Sequence, residues 1–301
     1  MPKGGEPRLI AVGGICTTTL YRVPVVPAVP GKVLATEAAE VVDGMAVSAA
    51  CAFVRLGGRG AVWGRIGDDP RGAGMRRELA AAGLDISAVR RVPGGRSSIA
   101  VSIIDGQGHR LVVPYHDTSL DAAADWLPLE RIADADFVHV DTRWPEGAAT
   151  ALAAARAAGV PGMLDADIAP PDVLARLVPL ASHAVFSDAG LFLHAGVDDL
   201  EAALRIVAAD HPGHVGASCG AEGYAWLEAG ALRRVPAPRV EVVDTLAAGD
   251  VFHGALALRL AEGATIEDAA RFAVVAASLK CTRFGGRLGC PSRDEVDRHP
   301  G

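Results

Sequence analysis

The chain has 301 residues, 50% of them hydrophobic and 22% charged, with a formal net charge of −7. At roughly 100 to 200 residues per domain this is one large domain, or a domain with a lid, with enough apolar material for a sizeable core, and it excludes a disordered chain. Lys+Arg 29 against Asp+Glu 36, with no basic run, offers no electrostatic footprint for DNA or RNA and points to a small-molecule partner.

The first predicted element is LIAVGG at 9–14, a short apolar run ending in glycine, which suits a buried parallel strand leading into a functional loop. An Ala-rich helical pattern from Asp43 to Arg55 is ended by Gly57-Gly58, AVWG at 61–64 is the next strand, and 71–82 is a second helix closed by Gly83. The rhythm then breaks. SIAVSIIDGQGHRLVVPY at 98–115 is two β-rich runs around Asp105-Gly106-Gln107-Gly108, a hairpin; with the Pro- and Val-rich stretch 20–36, it predicts a small β lid made by about 20–42 and 96–116. Further strands are expected at 136–140, 162–167, 183–187 and 214–218, alternating with helices at 146–158, 171–178 and 198–209. A late hairpin turns around Glu228 to Ala231, a β-branched strand VEVVD runs over 240–244, and helices follow at about 250–261 and 266–280. The order predicts a single α/β domain: a doubly wound, mainly parallel sheet with helices on both faces and a β-sheet lid.

The N-terminal MPKGGEPRLIAVGG lacks an apolar core of signal-peptide length and nowhere do about 18 apolar residues run together, so a cytoplasmic protein without membrane spans is expected. Five cysteines, an odd number without CxxC, argue against a disulfide framework or zinc knuckle. The nine histidines show no HExxH spacing, and no metal site is assigned to side chains.

The segment richest in chemistry is VVDTLAAGDVFHGALALRL at 242–260, where small residues lead into a helix beginning near Gly249. A helix start presents unpaired N–H groups and the positive end of the macrodipole, so the amides of Ala247, Ala248, Gly249 and Asp250 can cradle a phosphoryl group. Asp250 would repel that anion unless it takes a proton from an attacking hydroxyl, the general-base role in phosphoryl transfer. An Asp that merely favours the helix dipole is the plainer alternative.

DTLAAGDVFHGA at 244–255 resembles the DTxGAGD signature of the PfkB or ribokinase-like carbohydrate kinases, and the order of elements resembles that family over nearly the whole chain. The resemblance implies ATP as phosphoryl donor with Mg2+, room for a monovalent cation, Asp250 as catalytic base, the amides of Ala247 to Gly249 as anion hole, and Asp244 and Thr245 opening the nucleotide motif. It further implies nucleotide contacts at Ser218, Gly220 and Gly223 in SCGAEG, a stretch that could also be a plain β-turn. Ala247 replaces the signature's first glycine, which is tolerable if φ is negative there. The family's NxxE element, tied to its magnesium-water network, is replaced by Ser187 and Gly190 in FSDAG, with Asp188 as a substitute carboxylate.

On the sugar side, the positions gripping hydroxyls in the family look like Thr18, Val42-Asp43 and Val47. Asp43 is read as a hydrogen-bond partner of the substrate or as the N-cap of the helix from Gly44. DTRW (141–144), DADI (165–168), GDVFHGAL (249–256) and LKCTRFGGRLGCP (279–291) are similar to the branch containing bacterial sulfofructose kinases. That likeness implies that Lys32 and Arg143 hold an anionic head group, although a solvated lid charge and a surface ion pair are their plain alternatives. Pro114 stands where that branch has a polar lid residue, with His116 and Asp117 as replacement contacts. The expectation is an ATP-dependent kinase of a ketose-like or furanose sugar, with an anionic one such as 6-deoxy-6-sulfofructose as the narrower reading, forming a homodimer through the exposed lid strands; a non-catalytic sugar or nucleotide sensor and a nucleoside kinase are the alternatives.

Overall fold

The computed structural model describes residues 5–299; the first four residues of the stretch read for a signal segment lie outside it. In chain order the strands are β1 Arg8–Val12, β2 Cys16–Val23, β3 Glu37–Asp43, β4 Arg59–Gly67, β5 Val89–Val92, β6 Ser98–Asp105, β7 Arg110–Tyr115, β8 Phe137–Val140, β9 Gly162–Ala166, β10 His183–Ser187, β11 His214–Ser218, β12 Tyr224–Glu228 and β13 Ala231–Val235. The helices are α1 Met45–Arg55, α2 Pro70–Ala81, α3 Pro145–Ala158, α4 Pro171–Leu177, α5 Asp188–Ala195, α6 Leu200–Asp210, α7 Ala248–Ala261, α8 Ile266–Cys281 and α9 Arg293–Asp297.

Nine strands form one sheet in the order β13-β12-β11-β10-β9-β8-β1-β4-β5, parallel except for the β12–β13 hairpin at one edge. Central strands such as β8 (FVHV) and β9 (GMLDA) are buried at every residue, as they must be with helices on both faces. On one face Phe53, Val251 and Leu256 pack from α1 and α7 into a core shared with α8; on the other, Trp144, Leu152, Leu174 and Leu204 pack beneath α3, α4 and α6. Burying each such side chain stabilises the fold by about 1.5–3 kcal/mol. Chain order runs outward from β1 through β4 to β5 and, in the opposite direction, from β8 to β13. The reversal falls between β1 and β8, so the crevice beyond their carboxyl ends is where this architecture accepts ligands.

A second sheet, β3-β2-β6-β7, stands apart from the first. β2 and β6 run parallel in register from Cys16↔Ser98 to Val23↔Asp105, and β6 turns into β7 as an antiparallel hairpin. The turn is set by the carboxylate of Asp105, which accepts the amides of Gln107 and His109, and by Gly108 at φ 82. One face is apolar and buried through Leu20, Val41 and Ile104, against which Leu246 and Phe284 pack. The other leaves Tyr21, Ile99, Leu111, Val113 and Tyr115 exposed.

Several elements differ from sequence expectation, α9 at the C-terminal end among them. VEVVD at 240–244 is irregular, because the amides of Val243 and Asp244 both donate to the carbonyl of Cys281 at the end of α8 and pair with no strand. β5 and α5 were not expected: VRRV places two exposed arginines between its buried ends, and DAGLFLHA is eight residues opening on a turn-like Asp-Ala-Gly. Asp43 does not cap α1; the N-cap is Gly44 at φ 135, and Asp43 is the last residue of β3.

Candidate active site

The start of α7 lies past an unusual turn. Ala247, the N-cap, has φ 62 and ψ 13, so the negative φ that would have made its methyl group harmless is not realised. A left-handed alanine costs roughly 1–2 kcal/mol, and the buried packing around it holds it there. The turn leaves the amides of Ala247, Gly249 and Asp250 without an acceptor among the described residues, while Ala248 donates to Thr245 O at 3.2 Å. Apart from its chain neighbours and its own helix backbone, nothing lies within 4 Å of a Cβ built on Gly249, so this side of the helix start is open. Three free N–H groups at a helix start facing open space are a fitting cradle for a phosphoryl group.

Asp250 is the third residue of α7, half-buried beside this cradle. Burial raises the proton affinity of its carboxyl well above the ordinary range, and the negative charges of Asp165, Asp43 and Asp167 add to the effect, against Arg110. Asp165 on β9 is likewise pushed up to about 7, chiefly by burial. His253, one turn after Asp250, donates from Nδ1 to Gly249 O at 2.8 Å and lies 3.4 Å from the Asp165 carboxylate. It thereby links the cradle's own backbone to the acid beneath it.

The chain-order crevice is built by Gly13 and Gly14 after β1 and by Asp141 after β8. Asp141 is fully buried and accepts the amides of Gly14 (3.1 Å), Ala46 (3.2 Å) and Arg143 (2.8 Å), tying the ends of two strands to the start of α1. A side chain on Gly13 would sit 2.1 Å from that carboxylate. Thr18 and Asp43 are in contact: Thr18 donates to one Asp43 oxygen at 3.1 Å and Ser48 donates to the other. Val47 is core. Arg143 stands at the crevice, with one nitrogen on Ile168 O at 3.1 Å and another 3.6 Å from Asp167. Lys32 lies on the exposed irregular segment between β2 and β3, and no hydrogen bond or ion pair brings it to Arg143. Asp117 pairs with Arg96 at 3.0 Å and is not free for a ligand.

At the ends of β10 and β11, Ser187 and Ser218 are neighbours in register. Ser187 caps α5 and donates to Asp167 at 2.8 Å; Asp188 accepts its neighbour Ala189's amide. Gly220 (φ 54) and Gly223 (φ 89) shape the turn into β12, and a Cβ on Gly223 would lie 2.0 Å from Val235 O. Two residues of the nucleotide motif have partners within the protein. The Asp244 carboxylate is fully buried and taken up by Leu246, Gly285 and Gly286 amides and by Lys280, so it braces the loop and is not turned to a nucleotide. Thr245 is engaged from the second sheet: Arg110 donates to its carbonyl (2.6 Å) and hydroxyl (2.9 Å), and that hydroxyl donates to Gly108 O.

Residues 8–293 match the description "pfkB family carbohydrate kinase". The chain belongs to that family. Among its relatives, an ATP-dependent ribose-1-phosphate kinase of Halopiger xanaduensis is 28% identical over 96% of both chains. A ribokinase of Bacillus subtilis is 29% identical over 88% of this chain and 89% of its own. A crystal structure of a candidate ribokinase from Agrobacterium tumefaciens superposes with a TM-score of 0.94 at 42% identity, covering 97% of each chain. This is the ribokinase-like α/β fold, and membership makes the chain a phosphotransferase acting on a sugar or nucleoside hydroxyl. No helix among the described residues is long and apolar enough to cross a membrane.

Asp141, Asp165, His253, Lys280 and the Gly13-Gly14 pair were not singled out in the sequence. Asp141 alone had a usable signal, a carboxylate directly after a predicted central strand beside the reversal point.

Proposed function

We propose that the chain transfers the γ-phosphoryl group of ATP to a hydroxyl of a ketose-like or furanose sugar. The observation that carries this is Asp250 beside the unpartnered amides of Ala247, Gly249 and its own. The sugar hydroxyl gives its proton to the Asp250 carboxylate and attacks the γ-phosphorus in line, while those amides meet the developing charge. The raised proton affinity of Asp250 makes it a stronger base than an exposed aspartate, which suits abstraction from an alcohol.

The nucleotide runs from this cradle toward Ser187, Ser218, Gly220 and Gly223, and the sugar lies between Asp250 and the crevice formed by Gly14, Thr18, Asp43 and Arg143. Among the described residues no group of three His, Cys, Asp or Glu side chains is arranged to hold a metal. Mg2+ would be carried on phosphate oxygens and water, with Asp167 and Asp188 offered to its water shell. Bound there, the ion neutralises phosphate charge. A monovalent cation has a built-in rival in the buried ammonium of Lys280. The second sheet acts as a lid that excludes water from the reacting phosphate, and its exposed outer face is covered by a second copy. ATP as donor suits the cytoplasmic setting expected from the sequence.

ADP release measured with ATP, Mg2+ and a panel of neutral sugars, nucleosides, phosphorylated sugars and 6-deoxy-6-sulfofructose tests the reading. A sugar should stimulate turnover most. Stimulation by nucleosides alone would replace the sugar with a nucleoside, and no stimulation by any compound would leave a binding protein.

A further inference from the structure

We infer that His253 is a positioning residue for phosphoryl transfer: its Nδ1–H holds the peptide joining Gly249 to Asp250, and so fixes and polarises the one cradle amide that belongs to the base itself. The inference rests on the phosphoryl-transfer reading above and deepens it.

His253 stands one turn beyond Asp250 on α7, and its ring turns back along the helix to place Nδ1 2.8 Å from the carbonyl oxygen of Gly249. The C=O of Gly249 and the N–H of Asp250 are the two ends of a single peptide unit. A helix carbonyl already accepts the amide four residues on, so the imidazole is a second donor to it. Drawing electron density onto that oxygen makes the Asp250 N–H a better donor, because chained hydrogen bonds in a low-dielectric interior strengthen one another by about 10–30% per bond. The imidazole also holds this peptide against rotation. Little else does: Gly249 is exposed with open space at its Cβ position, and the residue two places before it is the left-handed Ala247.

The surroundings of the ring assign its proton to Nδ1. Gly249 O at 2.8 Å and the Asp165 carboxylate at 3.4 Å both face that nitrogen, and both are acceptors. Nε2 is buried with no hydrogen-bond partner among the described residues, and a proton there would be a costly unpaired donor. Packing fixes the ring in this orientation. His139 on β8 lies against it with ring centroids 5.6 Å apart, and Phe252 meets it edge-on at 5.8 Å. Burial holds His139 well below the usual imidazole range, so it brings no rival charge to Asp165. His253 is itself buried, too deep to touch a substrate, and acts only through the peptide that it holds.

Three measurements test this on the wild type, His253→Phe and His253→Asn. In nitrogen-15 NMR, the imidazole signal lost on substitution should be that of an Nδ1–H tautomer; an Nε2–H tautomer would overturn the inference. Calorimetry compares ATP with MgADP plus fluoroaluminate, a mimic of the phosphoryl group in flight, and turnover is read with ribose and fructose as acceptors. Losing a whole oxyanion donor typically costs about 100- to 1,000-fold in kcat, and His253→Phe only weakens one, so a loss of about tenfold is expected. Fluoroaluminate affinity should fall with kcat while KM and ATP affinity stay nearly unchanged, which also shows that the variant is folded. His253→Asn, whose Nδ2 donor lies close to the place of Nδ1, should regain most of the loss. An unmoved kcat and fluoroaluminate affinity in His253→Phe would overturn the inference. So would equal losses of ATP and fluoroaluminate affinity without rescue by asparagine, the mark of a packing residue. Should His253→Phe fail to fold, the wild-type tautomer and His253→Asn decide, a large loss of fluoroaluminate affinity in the latter counting against the role. If neither sugar is phosphorylated, the tautomer and the fluoroaluminate affinities decide alone. A wild type with no affinity for fluoroaluminate removes the phosphoryl-transfer reading itself, whereas a wild type that binds it as tightly as His253→Phe sinks the inference only.

Discussion

Lys280 and Asp244 form an ion pair 3.3 Å apart with both side chains fully buried, and the same ammonium donates to Asp244's own carbonyl at 2.6 Å. The pair lies at the root of the loop that ends in the Ala247 turn. Burial lowers the proton affinity of Lys280 and the Asp244 charge opposes that, so the ammonium depends on its partner. Lys280→Met leaves a buried carboxylate uncompensated and should destabilise the protein by about 3–5 kcal/mol in urea unfolding. Adding Asp244→Asn should recover part of that loss. Replacing Na+ with K+ should leave wild-type turnover unchanged, and K+ stimulation of the wild type would show that the ammonium does not suffice.

Asp250→Asn keeps the size and the helix start but removes the base. Turnover should fall at least about a hundredfold, with ATP affinity by calorimetry nearly unchanged. Unchanged turnover would take Asp250 out of the chemistry.

The surrounding carboxylates make a pH prediction with a definite sign. A base with raised proton affinity is protonated, and inactive, at pH values where an ordinary aspartate is still ionised. As pH falls, kcat/KM should therefore drop with a midpoint above the usual carboxylate range. Asp165→Asn removes a neighbouring negative charge and should move that limb to lower pH. An unmoved limb would mean that the Asp165 charge does not reach the base.

Ala247→Gly removes a methyl group from a left-handed residue. The gain is expected at about 1 kcal/mol, read as a rise in denaturation midpoint without a change in m-value. A loss of stability would mean that the methyl group's packing outweighs its backbone strain.

How much of this was written in the chain itself depends on the range of each interaction. The parallel core was readable because LIAVGG, DFVHV and HAVFS are apolar runs bounded by turn residues, and their burial on both faces demands that composition. The cradle was readable because everything it needs lies within 244–255. Asp43 shows where such reading ends: an Asp just before a helix suggests a cap, and only the approach of Thr18, 25 residues away, makes it part of a carboxylate network. The VEVVD stretch misled because β-branched residues favour a strand only when a neighbour is available, and here the acceptor is the end of a helix. Asp165 with His253, and Arg65 with Trp144, join residues about 80 or more positions apart, and no spacing rule reports such pairs.

The exposed face of the second sheet yields an oligomer prediction. Leu111 and Val113 project outward from β7 opposite Ile103 and Val101 of β6. If two copies cover this face, the wild type should sediment at twice the chain mass and Leu111→Glu with Val113→Glu should convert it to a monomer. A monomeric wild type would exclude the arrangement.

The hairpin tip carries a mechanical consequence. Arg110 and Gly108 stand at the β6–β7 turn end of the second sheet, yet they fasten Thr245, two residues before the turn that opens α7. A Cβ on Gly108 would collide with Val242, so the fit there is close. Any rocking of that sheet must either tear three hydrogen bonds or drag the helix entrance with it. Movement of the second sheet is in this way geared directly to the start of the helix that carries Asp250.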